Sequence, residues 1–185
     1  MKVLIIGGGA SGMMAALSAA EDATNTVTLL ERQARVGRKL LATGNGRCNL
    51  SNLHAAAAHY YDAADFATPV LERFPVEKTL AYFRALGLVT VHEADGKVYP
   101  HSDQANSVVD VLRFALEARG IVVACGCEVR AVRKKARGWQ AECVDGQTFY
   151  GDKLIVSAGG CAGQKLGGTE DGYRILGSLG HTCTA

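Results

Sequence analysis

Three consecutive glycines, Gly7-Gly8-Gly9, follow the apolar run Val3-Leu4-Ile5-Ile6, and a fourth, Gly12, stands three residues on. Few arrangements accommodate that spacing. A short, unbroken apolar run reads as a parallel strand buried on both faces. Residues 11–21, rich in Ala, Met and Leu, read as a helix, and residues 26–31 (TVTLLE) as a second strand. Strand, glycine turn, helix and strand spell one βαβ unit, right-handed by default. Within it, Gly7-Gly8-Gly9-Ala10-Ser11-Gly12 is a G-x-G-x-x-G. Gly7 permits the tight turn, Gly9 lets a pyrophosphate approach the backbone, and Gly12 allows the helix to lie close to the strand. The free N–H groups and positive dipole end of the helix, at Ala10 and Ser11, then suit a diphosphate.

Glu31 closes the second strand 19 residues after Gly12, where a carboxylate accepts hydrogen bonds from a ribose. A tight turn with an incidental glutamate is the plainer alternative, but strand, glycines, helix and acid all agree on dinucleotide binding. Glu31 leaves NAD and FAD both open. It disfavours NADP, whose 2′-phosphate would face a carboxylate, although the adjacent Arg32 tempers that preference.

The glycine triplet also argues against a membrane span or signal peptide over the uncharged residues 3–20, because it breaks the apolar stretch after four hydrophobic residues. With 48% apolar and 21% charged residues, the chain has the balance of a folded protein. A net charge of +2 is too small to imply nucleic-acid or membrane binding by itself. Cys48, Cys125, Cys127, Cys143, Cys161 and Cys183 are scattered, without a C-x-x-C pair. They read as reduced thiols of a cytoplasmic protein, with no metal site.

Further along, residues 37–52 read as a long ordered loop and 76–86 as a short helix. Residues 88–92 and 97–99 form a hairpin around Asp95-Gly96, and 104–119 is an amphipathic helix stopped by Gly120. Strands are expected over 121–124 leading into 128–134, then over 139–144 and 147–150, the last two joined by Asp145-Gly146. Residues 153–158 (KLIVSA) are another buried strand, and 171–179 a helix. The fold class is therefore α/β: a Rossmann-like parallel sheet with a covering antiparallel β-meander over about 128–150.

In the loop, Arg38, Lys39 and Arg47 lie among glycines that expose backbone donors. Such a lining suits a diphosphate and an electron-rich ring, while a solvated basic loop is equally consistent with the composition. The loop GRKLLATGNGRCNLSN, with VLIIGGGASGMMAA at the N-terminus, resembles the bacterial FAD-dependent oxidoreductases of the YhiN or aminoacetone-oxidase-like type. Further matches are Lys97-Val98-Tyr99-Pro100, Val156-Ser157-Ala158-Gly159-Gly160, and Gly172-Tyr173 leading to Leu179-Gly180-His181.

The resemblance covers essentially the whole chain and implies the FAD-binding domain of a two-dinucleotide-binding flavoprotein. It implies that Gly7, Gly9 and Gly12, with Ala10 and Ser11, meet the diphosphate and that Glu31, beside Arg32, binds the adenosine ribose. Arg38, Lys39, Gly46, Arg47, Cys48 and Asn49 would lie along FAD toward the flavin, with a cation among them stabilising the reduced ring. Val129 would meet the adenine through its backbone, and Ala158-Gly159-Gly160 would pass close to the cofactor. Members of the family are about twice as long, so residues 1–185 are expected to be the N-terminal portion of an FAD-binding domain, without the second domain and the C-terminal flavin-binding segment. The stretch 161–168 also lacks the proline common there.

The resemblance further implies an oxidoreductase with a small-molecule substrate, with NAD(P)H as one candidate reductant and no catalytic residue assigned. A fragment that does not retain FAD, and a flavoprotein acting in RNA modification, are the alternatives. Cys48 reads as loop packing rather than thiol chemistry, and Cys125 and Cys127 as core residues two apart on one strand. His92 and His101 receive no role. The basic run Arg130, Arg133, Lys134, Lys135 and Arg137 lacks interleaved aromatics in sequence, so it reads as a solvated hairpin and no nucleic-acid or membrane partner is expected.

Overall fold

The first thirty residues fold as their periodicity dictates. In the computed structural model, which describes residues 1–60 and 64–183, β1 (Lys2–Ile6), α1 (Ala10–Ala19) and β2 (Thr26–Glu31) form the βαβ unit. β1 and β2 pair in parallel, Ile5 beside Leu29 and Ile6 beside Leu30. The chain divides into two compact units, one of residues 1–40 and 112–185, the other of 41–111.

The second unit holds β3 (Ser51–Asn52), α2 (Ala64–Arg73), α3 (Val76–Ala85), β4 (Thr90–His92) and β5 (Lys97–Pro100). β4 and β5 make the expected hairpin, and β3 extends it on the other side of β5. Helix α2 is not foreseen by the sequence. It contains Pro69, which lacks an N–H and normally argues against a helix interior. α4 (Ala105–Ala118) then carries the chain back into the first unit.

There, β6 (Val122–Cys125) joins the parallel sheet beside β2. It does not run on into the meander, because Gly126 turns the chain at φ +75°. Cys125 and Cys127 are therefore not two residues of one strand: Cys125 is exposed and Cys127 buried. The meander is β7 (Val129–Lys134), β8 (Trp139–Cys143) and β9 (Thr148–Gly151), antiparallel throughout. β10 (Lys153–Val156) pairs with β1, giving the parallel order β10-β1-β2-β6, and α5 (Asp171–Ser178) follows.

Strand alternation decides which side of the sheet each residue serves. Leu4, Ile6 and Leu30 face the meander and share a core with Cys127, Val129, Val132, Ala141, Cys143 and Ile175. Val3 and Ile5 point the other way, and α1 buries Met13, Ala16 and Leu17. A β-bulge at Arg130 keeps both Val129 and Val132 inward, although they stand an odd number of residues apart. Among the described residues, no helix is long and apolar enough to cross a membrane.

Burial in this core pushes the Cys143 thiol from its ordinary value of 9.0 up to about 11. The folded chain thus holds that proton over a range in which the unfolded chain releases it. The stabilisation is complete below about pH 9 and is lost as the pH climbs toward about 11. Thermal melts across this window are expected to fall, and to fall less steeply for Cys143→Ala. An equally steep fall in the variant would place the cause in another group.

Candidate nucleotide site

At the C-terminal ends of β1, β2 and β10 the first unit opens into a cleft of about 330 Å³, the position where parallel α/β sheets receive ligands. Its floor is the glycine turn. Gly7 has φ +104°, and a Cβ there would lie 2.4 Å from the Ser157 carbonyl oxygen. A Cβ on Gly12 would lie 1.8 Å from the Gly7 oxygen, so no side chain fits where α1 meets β1. Gly9 is the opposite case: a Cβ there meets nothing within 4 Å, because the residue faces open cleft. α1 begins at Gly9 with no side-chain cap, and Ala10 and Ser11 line the cleft. Its first backbone donors are thus free for an anion.

Glu31 ties this turn to the end of β2. Its carboxylate accepts the Gly8 N–H at 2.7 Å through one oxygen and the Gln33 N–H at 2.7 Å through the other. Two backbone donors fix its orientation while leaving it on the cleft wall. Arg32, also on the wall, donates to the Gly167 carbonyl at 3.0 Å and lies 3.6 Å from the Asp171 carboxylate. Asp171 is held below the usual carboxylate range, first by Arg174 and then by Thr169, and so remains a charged partner. Arg32 is thereby engaged, which removes much of the relief it offered a 2′-phosphate.

The next two cations have softer partners. Arg38 donates to the Gln33 carboxamide oxygen at 2.6 Å, and the Lys39 ammonium reaches the carbonyls of Gly160 and Ala162 at 3.3 and 3.2 Å. Neither has a carboxylate partner among the described residues. Opposite them, Ala158 and Gly159 line the cleft, and Gly160 borders it through the Lys39 bond. Val129 forms part of the wall with Cys127 and Glu128.

Gly46, Arg47, Cys48 and Asn49 belong to the second unit. Arg47 bonds to Asp103, lies 2.9 Å from the Glu93 carboxylate, and stacks 3.9 Å above the Tyr99 ring. Its charge is committed within the second unit and its guanidinium is held protonated, chiefly by Asp103 and then Glu93. Cys48 is buried at φ +60°, and that burial pushes its thiol up, an environment for packing rather than nucleophilic chemistry.

Sequence reasoning missed Gln33, Ser157, Glu128, Thr169, Asp171 and Ile175 on the cleft wall. Ser157 directly precedes the Ala158-Gly159-Gly160 turn. Asp171 and Ile175 lie on an expected helix, but no local pattern says that this helix faces the cleft.

A glycine turn, an acid-closed second strand and an uncapped helix start around one cleft define a dinucleotide-binding Rossmann domain. The whole chain, residues 1–185, matches the HI0933-like protein Rossmann domain family, and it belongs to that family of FAD-binding flavoprotein domains. It is 42% identical over 183 residues to the 3-dehydro-bile acid delta(4,6)-reductase of Clostridium scindens, covering 98% of this chain and 44% of the relative. It is 29% identical to the ribosomal RNA dihydrouridine synthase of Escherichia coli, covering 96% and 44%. The chain thus spans less than half the length of these curated relatives. Among solved structures, a flavocytochrome c3 fumarate reductase in its open conformation superposes with a TM-score of 0.65 at 17% identity, over 96% of this chain and 40% of that one.

The clash at Gly12 yields a direct test. Gly12→Ala should lower the melting temperature and weaken ADP binding in calorimetry at least about tenfold, since α1 must move off β1 to admit a methyl group. Binding unchanged in the variant would mean that the close helix–strand contact does not shape the cleft.

Proposed function

We propose that the cleft holds the adenosine diphosphate half of FAD and that the chain is the cofactor-binding part of an oxidoreductase. The observation that carries this reading is the set of groups that share the cleft. The open Gly9 turn and uncapped α1 start line it together with Arg38 and Lys39, which have no carboxylate partner among the described residues, and with the fixed carboxylate of Glu31 at the end of β2. A diphosphate suits the turn and the two cations, and a ribose hydroxyl pair the carboxylate. Val129, on the wall near Glu31, suits the adenine, and Ala158-Gly159-Gly160 the passage toward the flavin.

Bound FAD would supply hydride or electron-pair transfer through its flavin ring. This chain's residues bind and orient the nucleotide. Lys39, whose charge is offset by carbonyls alone, supplies positive potential beside Gly159 and Gly160. The 42% identity with a bile-acid reductase favours reduction of a small unsaturated molecule, with NAD(P)H as the candidate electron source.

The purified 185-residue chain should retain a visible flavin band through gel filtration after incubation with FAD, and should bind ADP in calorimetry. Glu31→Ala should weaken ADP about tenfold, the loss of one charge-assisted hydrogen-bond site. Lys39→Met should weaken ADP more than adenosine. A folded chain with no ADP affinity would overturn the assignment of the cleft.

A further inference from the structure

Asp171 divides its carboxylate between two arginines. One oxygen lies 3.6 Å from Arg32, and the other accepts from Arg174 at 3.1 Å. Arg174 is itself held, donating from its other terminal nitrogen to the Arg130 carbonyl on β7 at 2.7 Å. The Asp171 N–H donates to the Thr169 hydroxyl at 3.4 Å. The carboxylate that meets Arg32 is therefore anchored from α5 and from the meander, and does not follow the arginine about. Arg32 completes the arrangement with its second terminal nitrogen on the Gly167 carbonyl at 3.0 Å. Both ends of the guanidinium fork have acceptors before any ligand arrives.

The place of this clamp gives it a consequence. Arg32 follows Glu31 in the chain, and Glu31, Arg32, Gly167 and Asp171 all line the cleft. A guanidinium beside the ribose-binding acid is the group that accommodates a 2′-phosphate, two parallel N–H donors against two phosphate oxygens. Here the fork is spent on Asp171 and Gly167. To serve a 2′-phosphate, Arg32 would have to leave both, and the phosphate would then share the cleft with the carboxylates of Glu31 and Asp171. Glu31 cannot step aside, because its two oxygens hold the Gly8 and Gln33 amides. A plain ribose asks nothing of Arg32, since its hydroxyls donate to Glu31 alone. The distinction matters to a flavoprotein, because NADPH carries the same adenosine diphosphate as FAD and differs there by its 2′-phosphate.

Taking the cleft as an adenosine diphosphate site, the reading proposed above, we infer that Asp171 is a positioning residue for nucleotide specificity: by holding Arg32, it closes the cleft to adenine nucleotides that carry a 2′-phosphate.

The test is calorimetry of the 185-residue chain with a matched pair of ligands, ADP-ribose and 2′-phospho-ADP-ribose. The ratio of the two affinities is the readout, so a general loss of binding or a softened fold cancels. The parent chain should prefer ADP-ribose at least about tenfold. Asp171→Asn keeps the side chain's size and removes its charge. It should shift the ratio about tenfold toward the phosphorylated ligand, as the freed Arg32 takes a phosphate partner. Adding Arg32→Gln to Asp171→Asn should abolish most of that shift, which relief of repulsion from Asp171 alone would not do. Arg32→Gln by itself should move the parent ratio less than about threefold, because a held guanidinium has little to give, and this measurement decides even where Asp171→Asn does not fold. The inference is overturned by a parent without preference between the ligands, or by an Asp171→Asn ratio equal to the parent's. A full shift in the double variant overturns it too, as does a change of about tenfold in Arg32→Gln alone. A folded parent that binds neither ligand nor ADP overturns the reading of the cleft itself, and the role of Asp171 with it.

Discussion

The fold turns on how closely α1 can approach β1. With 1.8 Å between the Gly7 oxygen and the place where a Gly12 Cβ would stand, the contact exists only without a side chain. That closeness aims the start of the helix, and its free donors, over the C-terminal edge of the sheet. Glu31 then fastens the same turn from the neighbouring strand through the Gly8 and Gln33 amides. A single carboxylate thus closes the turn structurally and presents an acceptor at the cleft. Backbone geometry and ligand chemistry rest on the same few atoms, so neither can vary alone.

The meander solves a different problem. A parallel sheet must be covered on both faces, and β7, β8 and β9 provide the second cover through Val129, Val132, Ala141 and Cys143. The bulge at Arg130 lets two valines stay inward at a spacing that regular alternation would forbid. Its consequence on the other side is unavoidable: the residues after each valine, both arginines, must point to solvent. Packing the core and concentrating charge outside are one event.

Much of this is legible in the sequence. The βαβ unit, the meander and the position of Glu31 follow from periodicity and spacing, because local patterns determine them. What is not legible depends on distant partners. Arg47 reads as a free cation of a basic loop, yet Glu93 and Asp103, far along the chain, absorb its charge. Residues 121–124 read correctly as a strand, but nothing local says that they edge the parallel sheet rather than feed the meander. Pro69 misleads in the other direction, by hiding a helix.

The cations that line the cleft differ in their partners. Arg32 is matched by the Asp171 carboxylate. Arg38 and Lys39 hold only a carboxamide and two carbonyls. Neutral dipoles orient a cation without cancelling its field, whereas a carboxylate at contact distance removes most of it. The uncancelled charges of Arg38 and Lys39 and the fixed negative charge of Glu31 therefore line one cleft. A ligand carrying both an anionic group and a hydroxyl pair would find a partner of the matching kind for each, although few side chains of the cleft are specific to it.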